Sequence, residues 1–328
     1  MSSTITPSSR SVVVKESAGT HRTSGLVLAG FAVVYLIWGS TYLAMKVGIE
    51  SFPPLLLAGT RHLSVGLVLY PILRWKTQER PTWEQWRTAI ITGVLLLFFG
   101  NGGVCVAEKT VPSGVAALLV ATVCLWMVIV DWFRPGGVRP APRILVGIGL
   151  GFAGLVLLVG PSHLGGSGRI DIKGAAILVV ASLAWAFGSV YSKHWALPCS
   201  PLLGVAMQGL AGGAVLWIVG FLTGEVRAFH LAAISVRSWA AIAYLALFGS
   251  VLGFTSYLYI LKNSTAARVG TYALVNPVVA LFLGWLLAGE SITLRTLLAA
   301  AVILTAVVLV ITAPMRTARI APAAGEAD

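Results

Sequence analysis

Arginine, histidine and asparagine side chains interrupt long apolar runs of this chain, and such side chains can bind a small molecule. Arg61 and His62 stand side by side in one run, Asn101 lies in another, and Asn276 lies near the C-terminal end. A cation or an amide in an apolar run is costly unless it contacts a partner or faces a polar cavity. The sequence therefore predicts that these side chains either line a cavity or complete hydrogen bonds inside the fold.

Each of these polar residues has a functional and a structural interpretation. A guanidinium at position 61 would bind an anion or a carboxylate, or it could snorkel to the interface or bond backbone carbonyls. His62 points about 100° away from Arg61 on a helix, which favours packing over ligand contact. Asn276 precedes Pro277, so its amide could instead repair the hydrogen bond that the proline removes. Both interpretations stay open.

Aromatic and hydroxyl side chains in other runs complete the candidate site. Trp38, Trp126 and Trp185 lie deep enough in their runs to stack on a flat or apolar ligand, with core packing as the alternative. Aromatic residues near the ends of runs are more typical of interfacial anchors. The predicted substrate-binding residues are Trp38, Tyr42, Arg61, Asn101, Thr122, Trp126, Trp185, Ser189, Tyr191, Tyr257 and Asn276.

Catalytic and cofactor motifs do not occur in the sequence. It has no His-Glu-x-x-His zinc motif, no Walker loop, no Gly-x-Ser-x-Gly and no dinucleotide fingerprint. The three cysteines, Cys105, Cys124 and Cys199, do not have metal-ligand spacing. We therefore predict no metal and no cofactor, and an enzyme is disfavoured. Without an ATP-binding domain, any active transport must use a gradient or an external partner.

The elements that must position these residues are long apolar helices. An α-helix needs about 20 apolar residues to cross a bilayer, and the chain is 57% hydrophobic and only 10% charged, with a mean hydropathy of +0.90. We predict an all-α integral membrane protein in the lipid bilayer. Its ten transmembrane helices are predicted at 25–45, 55–73, 86–107, 113–133, 144–160, 174–192, 202–222, 238–261, 269–288 and 294–313.

The net charge of +12 is distributed over short loops. No basic stripe or nucleic-acid motif accompanies it, so we predict no nucleic-acid partner. If both termini are cytoplasmic, the cytoplasmic side carries about twice as many Lys and Arg residues as the other side, which the positive-inside rule favours. Residues 1–24 and 314–328 are then disordered cytoplasmic tails.

The second half of the chain repeats features of the first at a separation of about 150 residues. Trp38–Tyr42 aligns with Phe187–Tyr191, and Pro54–Leu56 aligns with Pro201–Leu203. Two halves, 25–160 and 174–313, would each contain five helices. Because five is odd, the second half enters the membrane from the opposite side, as in the inverted repeats of many transporters. Such folds place a binding cavity between the halves, here among the first, second, third, fourth, sixth, eighth and ninth helices. A duplicated scaffold without transport is the alternative.

Three segments carry recognisable motifs: Leu36–Gly48 with Pro53, Pro54 and Arg61; Glu108–Ala117 with Ala121–Val123; and Ala266–Glu290. Together they resemble the EamA-type transporters of the drug/metabolite transporter superfamily, over about residues 28–312. The resemblance implies a ten-helix inner-membrane permease that exports metabolites, amino acids or drugs, and it implies a possible homodimer through the terminal helix of each half. One departure is Cys124, which stands where the family often has proline, whereas Pro277 is retained.

The sequence thus favours a permease that exports a small metabolite, such as an amino acid or an apolar drug-like compound, by alternating access. The alternatives are a lipid or sugar-precursor flippase and a non-transport scaffold or enzyme.

Proton-driven carriers commonly use an acidic residue or a histidine within the membrane. All acidic residues here fall in loops, in tails or near helix ends, which favours facilitated diffusion or exchange.

Overall fold

The computed structural model describes residues 20–111, 116, 119–137, 139–159, 171–196, 198, 200–288 and 294–313. Helices account for all the regular secondary structure of these residues. The main helices are α1 (Thr20–Gly48), α2 (Pro54–Thr77), α3 (Trp83–Ala107), α4 (Val123–Phe133), α5 (Pro142–Val159), α6 (Ile172–Ser192), α7 (Pro201–Leu222), α8 (Val236–Asn263), α9 (Tyr272–Ala288) and α10 (Leu294–Ile311).

Six of these helices are long and apolar enough to cross a membrane: α1, α2, α3, α6, α7 and α8. Three shorter apolar helices accompany them, at Leu119–Phe133, Pro142–Leu157 and Leu297–Ile311. The predicted all-helical class is therefore confirmed for the described residues, with six helices that are candidate membrane spans. The part of the predicted span 113–133 that precedes residue 119 lies almost entirely outside the described residues, as do both predicted tails apart from residues 20–24.

Local sequence signals determine where several helices begin. Pro54 and Pro201, which the repeat aligns, both occupy the first helical turn, where a missing amide hydrogen costs nothing. Thr82 begins α3 with a reciprocal capping box to Gln85, and Ser235 caps α8 through the backbone amide of Ser238. The two proline starts and the two hydroxyl caps thus occupy corresponding places in the two halves of the chain.

The helix packing joins the two halves along their whole length. The most extensive pairings are α2 with α7 and α5 with α10, while α1 packs on α8 and α9, and α6 packs on α3 and α4. Small residues allow the α2–α7 approach: a Cβ atom added to Gly213 would lie 2.6 Å from the backbone nitrogen of Leu63. Close backbone approach through small residues is how membrane helices gain packing energy without a hydrophobic driving force.

Two π-helical segments interrupt the middle of α3 and α8. They cover Val94–Gly102 in α3 and Leu245–Phe254 in α8. A π-helix has a wider turn than an α-helix and occurs frequently at functional sites. The sequence predicts both helices as regular spans and gives no indication of the π-helical segments. Their effect is to change the direction of the side chains and carbonyls that follow, in the region where the helices converge.

Candidate functional site

A cavity lies where α1, α2 and α3 of the first half meet α6, α8 and α9 of the second, next to the start of α4. The space among its side chains is about 690 Å³ when the part continuous with solvent is included. Both π-helical segments contribute to the wall, through Leu97, Gly100 and Asn101 on one side and Gly249 and Phe254 on the other.

Arg61 brings a cation into this wall. The residue is only 4% exposed, and its Nε donates a hydrogen bond to Ser250 Oγ at 2.8 Å. Gly249 makes room for it, because a Cβ atom at that position would lie 2.6 Å from Arg61 Nη2. Within the described residues, Arg61 forms no ion pair with an aspartate or glutamate. The guanidinium therefore brings to the cavity a positive charge that no described acidic side chain compensates.

His62 lines the same cavity as Arg61, although its place on the helix favoured packing away from it. Its Nδ1 lies 3.4 Å from Ser250 Oγ, so one hydroxyl stands between the imidazole and the guanidinium. The Nε2 atom of His62 is buried and has no hydrogen-bond partner among the described residues. The Asn101 side chain interacts with this imidazole.

Two amides face the cavity without partners for their oxygens. Asn101 lies beside His62, and Asn276 lies beside Tyr42. In the described part of the chain, neither Oδ1 accepts a hydrogen bond. A buried polar atom without a partner costs about 1–3 kcal/mol, so both oxygens are available to a ligand or to water.

The aromatic part of the wall centres on Trp38. Its indole Nε1 donates to the Gly249 carbonyl at 3.0 Å, which holds the ring in place. Trp185 meets Trp38 edge-to-face at 5.5 Å between ring centroids, and Tyr272 does so at 5.0 Å. Such edge-to-face arrangements match the quadrupoles of the rings. The resulting surface suits a flat or apolar group of a ligand.

The structure brings six of the eleven predicted site residues together on the cavity wall: Trp38, Tyr42, Arg61, Asn101, Trp185 and Asn276. The other five do not line it. Tyr257 is fully buried behind Trp38, and its hydroxyl bonds Ser189 and Trp185. Thr122 donates to the Leu119 carbonyl, and Trp126 packs against the core. Tyr191 stacks on Phe187.

Several residues of the wall were absent from the predicted set. Thr41 and Ser182 each lie three residues before or after a predicted tryptophan, a helical spacing that could have identified them. Tyr272, at the start of α9, is 5% exposed and lines the cavity. Phe254 and Gly249 lie in a π-helical segment whose only polar side chain is Ser250, and the sequence carries no signal for either residue.

Glu108 follows the C-terminal end of α3, outside the wall but near Tyr42 and Cys105. One of its carboxylate oxygens is buried without a hydrogen-bond partner in the described part of the chain. Burial raises the pKa of the Glu108 carboxyl to about 7, although the nearby Lys46 ammonium acts in the opposite direction. This carboxyl therefore changes its charge near neutral pH.

Comparison with known proteins identifies the family of this chain. The sequence profile of the EamA-like transporter family matches residues 23–160 and again residues 172–312. The chain belongs to the EamA-like transporter family. The two matches together cover most of the described helices, and they are separate occurrences of one profile.

Named relatives agree with this membership. The uncharacterized inner membrane transporter YedA of Escherichia coli K12 is 41% identical over 279 residues, covering 84% of this chain and 88% of YedA. The probable amino-acid metabolite efflux pump of Salmonella typhimurium is 28% identical over 270 residues, covering 80% of this chain and 86% of the pump. This EamA-family chain is a membrane transporter, and its relatives are named as transporters rather than enzymes.

A solved crystal structure has the same fold. It superposes with a TM-score of 0.71 at 23% sequence identity and covers 87% of this chain and 96% of its own. At this identity the likeness establishes the fold alone. The all-helical architecture of the EamA-family chain is thus one that a crystallised protein adopts over nearly its whole length.

Proposed function

We propose that this transporter exports a small metabolite across the inner membrane by alternating access, with the substrate bound in the cavity around Trp38 and Arg61. The observation that carries the proposal is a wall that combines a tryptophan pair with a guanidinium and two amide oxygens for which the described residues supply no ion pair and no hydrogen-bond donor, respectively. These groups lie between the halves of the chain, where transporters built from repeats bind their substrates. The name of the Salmonella typhimurium relative favours a metabolite and export.

The proposal includes ten transmembrane helices in two inverted five-helix halves. Four observations support the duplication: the family profile matches twice, the π-helical segments occupy corresponding helices, the proline starts correspond, and the packing pairs correspond. In particular, the contacts of α1 with α8 and α9 have counterparts in those of α6 with α3 and α4. An exchange of contacts between halves is what a two-fold relation produces. A homodimer is a further part of this proposal.

The test is flux in proteoliposomes. The purified protein would be reconstituted in vesicles loaded with radiolabelled amino acids and aromatic carboxylic acids, and efflux would be measured against protein-free vesicles. We expect efflux of at least one compound, with a large loss in Trp38→Ala and normal rates in Arg227→Gln, an exposed position that does not line the cavity. If no loaded compound leaves the vesicles and labelled lipid crosses the bilayer instead, the flippase alternative replaces the permease.

Coupling is tested in the same vesicles. We propose facilitated diffusion or exchange, because no aspartate or glutamate lines the cavity within the described residues. Flux should then follow the substrate gradient with or without an imposed pH gradient. Uphill accumulation driven by the pH gradient alone, and abolished in Glu108→Gln, would instead establish proton coupling through Glu108.

A further inference from the structure

We propose that the cavity selects an aromatic carboxylate anion, with the carboxylate on Arg61 and the ring against Trp38 and Trp185. This inference rests on the proposed transport function and adds the charge of the substrate. It differs from the broader expectation of an amino acid or an apolar drug, because it ranks an anion above a zwitterion and a zwitterion above a cation.

The wall of the cavity carries the positive charge of Arg61. Arg61 is 4% exposed and forms no ion pair with a described acidic side chain. Its Nε is satisfied by Ser250, whereas its two terminal nitrogens form no hydrogen bond to the described residues. A buried cation without a counter-ion is expensive. A substrate carboxylate would supply the missing charge and could accept two parallel hydrogen bonds from the guanidinium.

Further polar side chains line the cavity with the guanidinium. His62 Nε2 is buried, and the imidazole interacts with the neighbouring Asn101 side chain. In the tautomer with hydrogen on Nε2, the imidazole would donate to a second carboxylate oxygen. The Asn101 amide can present its NH2 group after a half-turn about its terminal bond. Arg61, His62 and Asn101 together offer several donors to one anionic group.

The apolar part of the wall is a cluster of aromatic rings. Trp38 and Trp185 meet edge-to-face, with Phe254 and Tyr272 against Trp38. A ligand ring can add to such a cluster in the same offset or edge-to-face geometry. The Trp38 indole and the Arg61 guanidinium both lie against Gly249, so one compact molecule with a ring and a carboxylate can contact both.

The described wall offers no counter-ion for an amine. Among the described residues of the wall, no carboxylate is present to pair with an ammonium group. Glu108 lies outside the wall and interacts with Lys46. An ammonium group in the cavity would therefore meet the positive Arg61 without compensation, and only the aromatic faces would attract it.

Three probes with the same ring and different charges test whether the cavity prefers an anion. They are 3-phenylpropionate, phenylalanine and phenethylamine. Binding to the purified protein in detergent would be measured by calorimetry, and flux of the same labelled compounds would be measured in proteoliposomes. We expect the wild type to bind 3-phenylpropionate best and phenethylamine worst. In Arg61→Gln, 3-phenylpropionate should bind at least about tenfold more weakly, the loss expected from one charge-assisted hydrogen bond.

Matched variants separate the site from the fold. Arg227→Gln removes the same charge at an exposed position and should leave the ranking of the three probes unchanged. Arg61→Lys keeps the charge and should retain preference for the anion, and it serves in place of Arg61→Gln if the latter fails to fold.

The two proposals fail differently. Tighter binding of phenylalanine or phenethylamine than of 3-phenylpropionate, or no binding of any of the three, would overturn the anion rule whatever the flux result. An unchanged affinity in a folded Arg61→Gln would also overturn it. Binding of 3-phenylpropionate without any flux would leave the ligand assignment standing and overturn transport.

Discussion

Asn276 is 2% exposed, and its side-chain oxygen accepts no hydrogen bond in the described part of the chain. The amide precedes Pro277 within α9, so repair of the proline kink was one interpretation of it. The unpartnered oxygen faces the cavity beside Tyr42 instead. A polar group kept at a cost of about 1–3 kcal/mol is explained by a ligand that uses it.

For Asn276→Ala we expect a melting temperature equal to or above that of the wild type, because the unsatisfied oxygen is removed. Efflux in proteoliposomes should fall by about tenfold, the equivalent of one lost hydrogen bond to substrate. Asn263→Ala, at an exposed site at the end of α8, is the control and should keep full efflux. Full efflux in Asn276→Ala as well would remove this amide from the site.

Glu108 gives the protein a pH-dependent stability. Because burial raises its pKa from 4.5 to about 7, the folded protein retains a proton that the unfolded chain has lost between these values. The free energy of unfolding should therefore fall as the pH rises from about 4.5 to 7 and stay level above that. Melting temperatures in detergent across this window should show the fall in the wild type and not in Glu108→Gln. The exposed Glu84→Gln should behave as the wild type, and an unchanged profile in Glu108→Gln would contradict the assignment.

At the scale of the helices, the two π-helical segments are the features that shape the cavity. The segment in α8 places the Gly249 carbonyl where it accepts the Trp38 indole, and it leaves space for the Arg61 guanidinium. The segment in α3 carries Asn101. Each helix therefore contributes to the site through the part of its backbone that departs from the α-helix.

Close packing of α2 on α7 predicts a sharp effect of one methyl group. In Gly213→Ala the new Cβ would lie 2.6 Å from the backbone nitrogen of Leu63, so the two helices must separate. We expect a loss of about 1–3 kcal/mol, typical of overpacking, measured as a lower melting temperature in detergent. Gly149→Ala on α5 is the matched control, because a Cβ atom there meets nothing within 4 Å. Equal melting temperatures for the two variants would contradict the predicted clash between α2 and α7.

At the scale of the whole molecule, the orientation in the membrane follows from charge. The excess of Lys and Arg in one set of loops predicts cytoplasmic termini. In a cysteine-free background, Thr317→Cys should react with a membrane-impermeant maleimide only after spheroplasts are permeabilised. Arg227→Cys, in the segment between α7 and α8, should react in intact spheroplasts. Labelling of Thr317→Cys from outside would overturn the orientation.

The sequence by itself determined the helical class, the approximate positions of the helices and the family. These properties depend on local pattern: apolar length, a proline or a hydroxyl at a helix start, and motifs such as Leu36–Gly48. The sequence also showed which polar residues interrupt apolar runs, because the order of the residues reveals them directly.

Only the tertiary structure decided which of those residues converge. Tyr257 and Tyr272 are similar aromatic residues in apolar surroundings, yet one is sealed behind Trp38 and the other lines the cavity. The difference depends on how each helix is rotated about its axis. That rotation is set by close contacts such as Gly213 with Leu63 and by the π-helical segments of α3 and α8. Both arise from the packing of distant parts of the chain, which no local pattern encodes.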